Sequence, residues 1–284
     1  MRRSTVALLL LGSKSTSSFT SLPKHNLSNL KKNLYMSSTS SNKEALLSCP
    51  QIPLNNNQKH PAIGFGTYKV GFIPASASSA TSGQSSEIAR TAKDCVVDAL
   101  NVGYRFLECA QFYGNEKQIG EAILESGVPR DKLFLCSKVW TTTIEQGEEA
   151  IRAQVKQSLE DLKTDYLDLY LVHWPVPGKH VEAYLTLQKL QKEGILRGIG
   201  LSNYAVEDYL EIKASPDFSI VPTVNQIEIN PFLYRKNTIE FFKQEGVVLQ
   251  SYRSLRDGKA FTHPKLIQYA EKYHKSTAQI LGRW

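Results

Sequence analysis

The sequence predicts an α/β protein built around a parallel sheet, and three observations point to that class. Short apolar runs alternate along the chain with amphipathic helical patterns, which is the order expected of βαβ units with right-handed crossovers. The length of 284 residues fits one large α/β barrel or two smaller domains. Neither an internal repeat nor a domain linker interrupts the part of the chain that follows residue 43.

The first 43 residues are interpreted as a targeting leader. Arg2 and Arg3 precede the apolar run VALLLLG, Val6–Gly12, which is long enough for the core of a signal peptide and too short to cross a bilayer. The stretch that follows, Ser13–Asn42, is rich in serine and free of acidic residues, as organelle transit peptides are.

This leader resembles the two-part leaders of plastid proteins in algae of secondary origin. We therefore expect it to be disordered, to direct the protein to a plastid or another organelle, and to be removed from the mature protein. In the alternative, Met36, the only methionine besides Met1, is the true start and the protein is cytoplasmic. Residues 44–284 form the barrel domain in both cases.

The net charge of +7 comes from the leader and not from the body of the protein. The chain has 34 Lys and Arg residues against 27 Asp and Glu residues, and seven of the basic residues precede Glu44, the first acidic residue. The body is therefore neutral, which gives no support for nucleic acid or an acidic membrane as a partner. We expect neither partner, no membrane span, and a monomer that acts on a small molecule.

The cysteines predict neither a disulfide framework nor a metal site. They show no CxxC pair and no metal-ligand spacing, so we expect free thiols and no bound metal at Cys49, Cys95, Cys109 and Cys136.

The elements of the body begin with a hairpin and continue as alternating strands and helices. The stretch QIPLNNNQKHPAIGFGT places two extended runs around a polar turn at Asn55–Gln58, which predicts a β-hairpin. We place seven strands at Ile63–Thr67, Tyr104–Leu107, Leu133–Ser137, Leu167–Val172, Gly198–Leu201, Val224–Ile227 and Val247–Ser251. Helical patterns lie between them at Ile88–Asn101, Ile144–Leu162, Ala183–Glu193 and Ile239–Glu245.

Two further segments complete the body. The Ser- and Ala-rich stretch Ala75–Ser86 is predicted to be a mobile inserted loop. A helical tail ends the chain at Trp284, and no eighth strand pattern follows the seventh.

Polar and aromatic residues follow the predicted strands, at the face where α/β barrels carry their active sites. In chain order these residues are Glu108 and Tyr113, Lys138, His173 and Trp174, Ser202 and Asn203, Gln226, and Tyr252. Each alone has an ordinary explanation, because strand ends are where polar residues and turns begin. The whole set indicates a functional site.

The residue types in this set favour proton transfer to a carbonyl. A phenol with a pKa of about 10 donates a proton poorly at neutral pH unless a cation stabilises its phenolate. Lys138 can be that cation for Tyr113, Glu108 can hold the ammonium group in place, and His173 can orient a carbonyl. No Ser or Cys nucleophile lies beside a base, which argues against hydrolysis.

A second group of strand-end residues suits a nicotinamide. The side chains of Ser202, Asn203 and Gln226 can bind an amide, and the ring of Tyr252 can stack on a planar ring. No GxGxxG motif follows a strand, so a Rossmann domain is not the carrier of the cofactor.

Six stretches of the chain resemble, in order, the signatures of the aldo-keto reductase family. They are GFGTYKV, GYRFLECAQFYGNEKQIGEAI, LFLCSKVW, DYLDLYLVHWPVPGK, GILRGIGLSNY and VNQIEINPF. The resemblance implies a (β/α)8 TIM barrel whose N-terminal hairpin closes the floor and whose carboxyl-end rim binds NADPH.

The resemblance also implies a role for each site residue. Tyr113 matches the proton donor, Lys138 the lysine that lowers its pKa, and His173 the histidine that orients the substrate, with Glu108 completing the catalytic set. The expected cofactor-binding residues are Gly66, Thr67, Glu108, Ser202, Asn203, Gln226, Tyr252 and Leu255. Trp174 and Tyr68 join His173 in the expected substrate site.

The chain departs from the family pattern at three places. Glu108 stands where the family has aspartate. The stretch SYRSL brings Arg253 and Ser254 into the loop after the seventh strand. The sequence also ends before the family's eighth strand, so we expect a barrel truncated there, with a gap between its first and seventh strands and weakened NADPH binding.

Two functions fit the sequence. The first is an NADPH-dependent reductase of aldehydes and ketones. The loop after His173 passes almost directly into a helix, which resembles the short-loop members of the family in bacteria, plants and protists and implies an open pocket. The second is a non-catalytic or weakly active redox-sensing protein on the same fold, similar to the potassium-channel β subunits. The complete set of Tyr113, Lys138 and His173 favours the enzyme, whereas Glu108 and the short C-terminal end favour the regulatory protein.

Overall fold

A parallel sheet curled into a barrel dominates the computed structural model, which describes residues 7–10, 49–70 and 91–284. Seven parallel strands follow one another around the barrel in chain order. They are β4 (Ile63–Gly66), β5 (Phe106–Glu108), β6 (Phe134–Val139), β7 (Leu169–Val172), β8 (Ile199–Ser202), β9 (Val224–Glu228) and β10 (Val248–Tyr252). The predicted strands are confirmed, with ends that differ by one or two residues.

A short N-terminal strand closes the barrel. Strand β1 (Ala7–Leu10) lies antiparallel between β4 and β10, with Leu8 opposite Gly64 and Leu10 opposite Gln250. The expected gap between the first and seventh parallel strands is therefore occupied, because a sheet edge with unpaired backbone groups can pair with another extended segment. These four residues form a strand, and the disorder expected of the leader stays a prediction for the rest of it.

The predicted hairpin is confirmed at the floor of the barrel. Strands β2 (Gln51–Pro53) and β3 (Lys59–Pro61) pair antiparallel. His60 is fully buried there, with its ring 4.4 Å from that of Phe106 and 4.2 Å from that of Phe134. Burial lowers the pKa of His60 to about 4, so this histidine is neutral at physiological pH.

Helices surround the barrel and connect its strands. They are α1 (Ala92–Asn101), α2 (Glu116–Ser126), α3 (Thr141–Ile144), α4 (Glu148–Asp161), α5 (His180–Lys192), α6 (Val206–Lys213), α7 (Lys236–Gln244), α8 (Pro264–Tyr273) and α9 (Thr277–Arg283). The four predicted helices are present, although the first begins at Ala92, after the Thr91 cap, and the second begins at Glu148. No helix in the described parts of the chain is long and apolar enough to cross a membrane.

Several expectations lie outside the described residues. These are the Ser- and Ala-rich insertion and most of the leader, including its transit-like stretch. The targeting role of the leader stays a prediction.

Alternating residues of the strands face two separate cores. Inside the barrel, Phe134 and Cys136 of β6 pack with residues of the neighbouring strands and with Leu54 of the hairpin. On the other face of the same strand, Leu135 and Val139 pack in the larger core beneath the helices. This alternation puts Lys138 on the inner face, two residues beyond Cys136.

A buried carboxyl group links α2 to the barrel outside the site. Glu116, the first residue of α2, is buried, and its two carboxyl oxygens accept hydrogen bonds from Ser137 Oγ at 2.6 Å and Ser158 Oγ at 3.1 Å. Burial raises the pKa of Glu116 to about 7, and the two hydroxyl groups oppose that rise. This carboxyl therefore titrates near neutrality in the folded protein.

Because the pKa of Glu116 is raised in the folded protein, we expect the protein to lose stability as the pH rises. Because its pKa of about 7 in the folded protein lies above the ordinary value of 4.5, the folded state binds more protons between these values. The contribution of Glu116 to the free energy of unfolding is complete below about pH 4.5 and is lost as the pH rises through about 7. The total loss is about 3 kcal/mol. Urea unfolding between about pH 4.5 and 8.5 should show this loss in the wild type and a smaller one in Glu116→Gln. Equal losses in both proteins would contradict the assignment.

Candidate active site

The carboxyl ends of the parallel strands bring the predicted residues to one face of the barrel. Glu108, Ser202 and Tyr252 are the last residues of β5, β8 and β10. Lys138 lies one residue before the end of β6, and His173 directly follows β7. The fold therefore gathers residues that are far apart in sequence, as expected for barrels of this kind.

A tight turn carries Tyr113 back over the end of β5. Residues Gln111–Tyr113 form a 3₁₀ turn that ends at Gly114, whose φ of 65° suits glycine. The buried side chain of Asn115 donates hydrogen bonds to Thr67 O at 3.0 Å and Val70 O at 3.1 Å. The turn is thus fastened to the loop after β4, and the Tyr113 side chain is buried.

Tyr113, Lys138 and Glu108 form one buried hydrogen-bonded cluster. Lys138 Nζ donates to the Tyr113 hydroxyl at 2.9 Å and to Cys109 O at 2.8 Å, and it forms an ion pair with Glu108 Oε1. The Tyr113 hydroxyl in turn donates to the same Glu108 oxygen at 2.9 Å. Lys138 is fully buried and Glu108 is 3% exposed, so each charge depends on the other for compensation.

Burial is the largest cause of the pKa shifts of Tyr113 and Lys138. It raises the pKa of Tyr113 well above the ordinary 10 and lowers the pKa of Lys138 well below the ordinary 10.5. The resemblance led us to expect a lowered pKa for Tyr113. In the structure, the hydrogen bond from Lys138 acts in that direction, but the cost of burying a phenolate is larger.

His173 lies beside this cluster as a neutral side chain. Burial and then the nearby Lys138 charge lower its pKa well below the ordinary 6.5. Its ring centre is 5.9 Å from that of Tyr113, and its buried Nδ1 has no hydrogen-bond partner among the described residues. A neutral imidazole here can donate or accept a hydrogen bond without adding charge to the pocket.

Aromatic side chains that the sequence analysis did not assign form a wall next to His173. The rings of Phe112 and Trp140 stack with centres 4.0 Å apart, and Trp140 lies 4.9 Å from the His173 ring. Gln111 fixes this pair by accepting from Trp140 N at 2.7 Å and donating to Thr143 Oγ1 at 2.7 Å. The position of Trp140 directly after β6 is the signal that could have identified it.

Of the predicted substrate residues Tyr68 and Trp174, the structure places Tyr68 against the aromatic wall. The Tyr68 ring lies 5.1 Å from the Tyr113 ring and 6.4 Å from the Phe112 ring. Trp174 is 43% exposed. Tyr68 thus extends the aromatic wall, and the role expected of the exposed Trp174 stays a prediction.

An amide-lined shelf follows β8, β9 and β10. Asn203 adopts a left-handed backbone with φ of 63°, and its Nδ2 donates to His173 O at 3.0 Å and to Ser202 Oγ at 3.1 Å. The Tyr252 hydroxyl donates to Asn203 Oδ1 at 2.8 Å. Gln226 is buried next to this group and donates to Gln250 Oε1 at 3.3 Å.

The shelf fits a nicotinamide group. The buried Gln250, which accepts from Gln226, has an Nε2 with no hydrogen-bond partner among the described residues. Carboxamide donors and acceptors therefore stand beside an aromatic ring and next to the Tyr113 cluster. This arrangement can hold a planar amide-bearing ring against a carbonyl compound.

The remaining predicted cofactor residues occupy the edges of the site. Gly66 pairs with Glu108 across β4 and β5, and the buried Thr67 donates through Oγ1 to Glu108 O at 2.9 Å. The side chain of Leu255 packs against a small apolar cluster formed with α8 and α9. Arg253, which has a φ of 50°, pairs with Asp257 at 2.7 Å and Glu228 at 3.4 Å.

The chemistry of the site follows from its residue types. A buried phenol in contact with a lysine can pass a proton, and a neutral imidazole and an amide shelf can position two ligands side by side. Within the described residues, no group of three or more His, Cys, Asp or Glu side chains is arranged to hold a metal ion. The four cysteines, all within the described residues, form no disulfide with one another.

Comparisons with known proteins agree with this geometry. The sequence model of the Aldo/keto reductase family matches residues 62–281. The chain is 38% identical over 233 residues to a glyoxal reductase of Bacillus subtilis, covering 82% of this chain and 77% of that protein.

Two solved structures are similar in sequence and in fold. A crystal structure of an aldo/keto reductase from Brucella melitensis matches with a TM-score of 0.71 and 33% identity, covering 84% of each chain. A Bombyx mori aldo-keto reductase in complex with NADP matches with a TM-score of 0.69 and 27% identity, covering 82% of this chain and 78% of that one. The chain therefore belongs to the aldo-keto reductase family and is an oxidoreductase that acts on carbonyl groups.

Proposed function

We propose that this protein uses NADPH to reduce aldehydes and ketones to alcohols, with Tyr113 as the proton donor. The observation that carries this proposal is the contact of Lys138 Nζ with the Tyr113 hydroxyl, at 2.9 Å, on the face that also holds the amide shelf. A proton donor and a nicotinamide-binding shelf side by side are what a hydride-based reduction of a carbonyl requires.

Each residue of the cluster has a separate task. When bound on the amide shelf, NADPH would supply the hydride for the carbonyl carbon. Tyr113 gives its hydroxyl proton to the carbonyl oxygen, and the Lys138 ammonium group stabilises the phenolate that remains. His173, kept neutral by burial, orients the carbonyl with a hydrogen bond. Its neutrality matters because a second cation beside Lys138 would be repelled.

The shelf residues are assigned to the cofactor. Asn203, Gln226 and Ser202 would hold the carboxamide, and the ring of Tyr252 would stack on the nicotinamide. The hydrogen bond between Tyr252 and Asn203, at 2.8 Å, keeps the ring and the amide in a fixed relation. Support for NADPH comes from the family and from the NADP bound to the Bombyx mori relative.

Small, uncharged carbonyl compounds suit the pocket best. Its wall next to His173 is built from the rings of Phe112, Trp140 and Tyr68, which offer apolar contact to a substrate and no charge. The B. subtilis relative that is named glyoxal reductase supports a small dicarbonyl as the first compound to try.

Two measurements on the purified protein test the proposal and separate it from a regulatory role. NADPH should bind with a fluorescence change, and addition of glyoxal should then oxidise NADPH at a rate well above that of the mixture without protein. The variant Tyr252→Leu tests the shelf, because it removes the stacking ring and should weaken NADPH binding by roughly tenfold. Binding of NADPH without turnover of any small aldehyde would contradict the enzyme assignment and favour the redox-sensing alternative.

A further inference from the structure

The hydroxyl proton of Tyr113 has an acceptor inside the protein. Tyr113 carries one hydroxyl proton, and in the structure its oxygen donates to Glu108 Oε1 at 2.9 Å while it accepts from Lys138 Nζ at 2.9 Å. This one proton cannot be donated at full strength to the carboxylate and to a carbonyl oxygen at the same time. The bond to Glu108 must therefore break, or be shared, before the proton can reach a substrate.

The length of the Glu108 side chain creates this contact. Glu108 ends β5 and Tyr113 lies in the turn that folds back over the strand. A glutamate reaches about 1.5 Å farther than an aspartate, by one methylene group. That extra length lets one carboxylate oxygen contact both the ammonium group of Lys138 and the hydroxyl of Tyr113.

Few other groups can compete for the proton. The charged or titratable side chains around the Tyr113 hydroxyl are Glu108, Lys138, His173, Tyr68, Tyr252, Cys109 and Cys136. Of these, Lys138 donates to the hydroxyl and Glu108 accepts from it. Glu108 is therefore the acceptor against which a substrate must compete.

We infer that Glu108 is a positioning residue that competes with the substrate carbonyl for the Tyr113 proton and so holds the reduction rate below what the same site would reach with aspartate. The inference rests on the proposed function, because it concerns the proton that this reaction consumes. Under this inference, the one additional methylene group of Glu108 at the end of β5 lowers the rate of carbonyl reduction.

The same contact predicts a property of the protein without cofactor or substrate. A carboxylate that accepts a hydrogen bond from the neutral phenol favours the neutral form, and its negative charge opposes the phenolate. Shortening the side chain removes this contact while a carboxylate still faces Lys138. Tyr113 should then ionise at lower pH in Glu108→Asp than in the wild type.

The test compares the wild type, Glu108→Asp and Glu108→Gln, each with and without Tyr113→Phe. In the protein alone, the tyrosinate absorbance that Tyr113→Phe removes gives the titration of Tyr113, and it should move to lower pH in Glu108→Asp. With glyoxal and NADPH, Glu108→Asp should raise kcat by about threefold to tenfold while the Kd for NADPH stays within about twofold. Glu108→Gln, which keeps the length but loses the charge that compensates Lys138, should lower kcat.

The outcomes are distinguishable from those of the proposed function. If no variant reduces a carbonyl, the proposed function fails, and the titration in the protein alone still decides the role of Glu108. The inference is overturned if Tyr113 titrates at the same or a higher pH in Glu108→Asp, or if a stably folded Glu108→Asp is slower than the wild type. A gain in kcat that persists in the Glu108→Asp, Tyr113→Phe double variant would also overturn it.

Discussion

Tyr113→Phe is expected to lower kcat for carbonyl reduction by about 10² to 10⁴ while the affinity for NADPH stays nearly unchanged. The substitution removes the hydroxyl that contacts Lys138 and Glu108 and keeps the ring that packs against Tyr68 and His173. The pocket should keep its shape and lose only its proton donor. Steady-state kinetics and NADPH titration of the same preparation measure the two effects.

The matched control is Tyr184→Phe. Tyr184 is also buried, and its hydroxyl donates to Ile220 O at 2.7 Å on the helix side of the barrel, away from the site. Loss of this hydrogen bond should lower the free energy of unfolding by about 1 kcal/mol and leave kcat unchanged. A Tyr113→Phe protein that is as active as Tyr184→Phe would remove Tyr113 from the reaction.

Lys138→Met is expected to lower both activity and stability. Without the ammonium group, the phenolate of Tyr113 loses its cation, and kcat should fall by about 10² to 10³. The buried Glu108 carboxylate would also lose its ion-pair partner, which costs about 3 to 5 kcal/mol of unfolding free energy. Urea unfolding and steady-state kinetics measure the two losses separately.

A double variant separates the two roles of Lys138. Lys138→Met combined with Glu108→Leu replaces both buried charges by apolar side chains, which is often close to neutral for stability. The double variant should regain most of the unfolding free energy that Lys138→Met loses, and it should remain inactive. Recovery of activity along with stability would show that Lys138 serves the fold alone.

The parallel part of the fold could be predicted from the sequence because its signals are local. The apolar run at Leu169–Val172 and the hairpin turn at Asn55–Gln58 each lie within a short stretch of chain, and both were identified. Helix α2 carries a signal of the same local kind, because Ile119, Ala122 and Ile123 show the helical spacing of buried residues.

The closure of the barrel could not be predicted from local signals. Strand β1 pairs with residues of β4 and β10, which lie far away along the chain, and its apolar sequence equally suits a signal peptide. Nothing in a run of small and branched apolar residues distinguishes these two uses.

The positions of residues at strand ends were enough to predict most of the site. They were not enough to predict contacts that depend on how far a side chain reaches. The rule that functional residues of an α/β barrel follow its strands predicted Tyr113, Lys138 and His173, which the fold brings to one face. It did not reveal that Glu108 contacts the Tyr113 hydroxyl as well as Lys138, because that contact depends on how far one carboxylate reaches across a turn. The same rule applied to β6 would have included Trp140.

The most direct test of the proposed reaction is the fate of the hydride. The purified protein is given glyoxal and NADPH deuterated at C4 of the nicotinamide, and the alcohol product is analysed by mass spectrometry. We expect the former carbonyl carbon to gain deuterium from the cofactor in the wild type, and the product to fall to trace amounts with Tyr113→Phe. Product without cofactor-derived deuterium, or no product from a wild-type protein that binds NADPH, would contradict the proposed reaction.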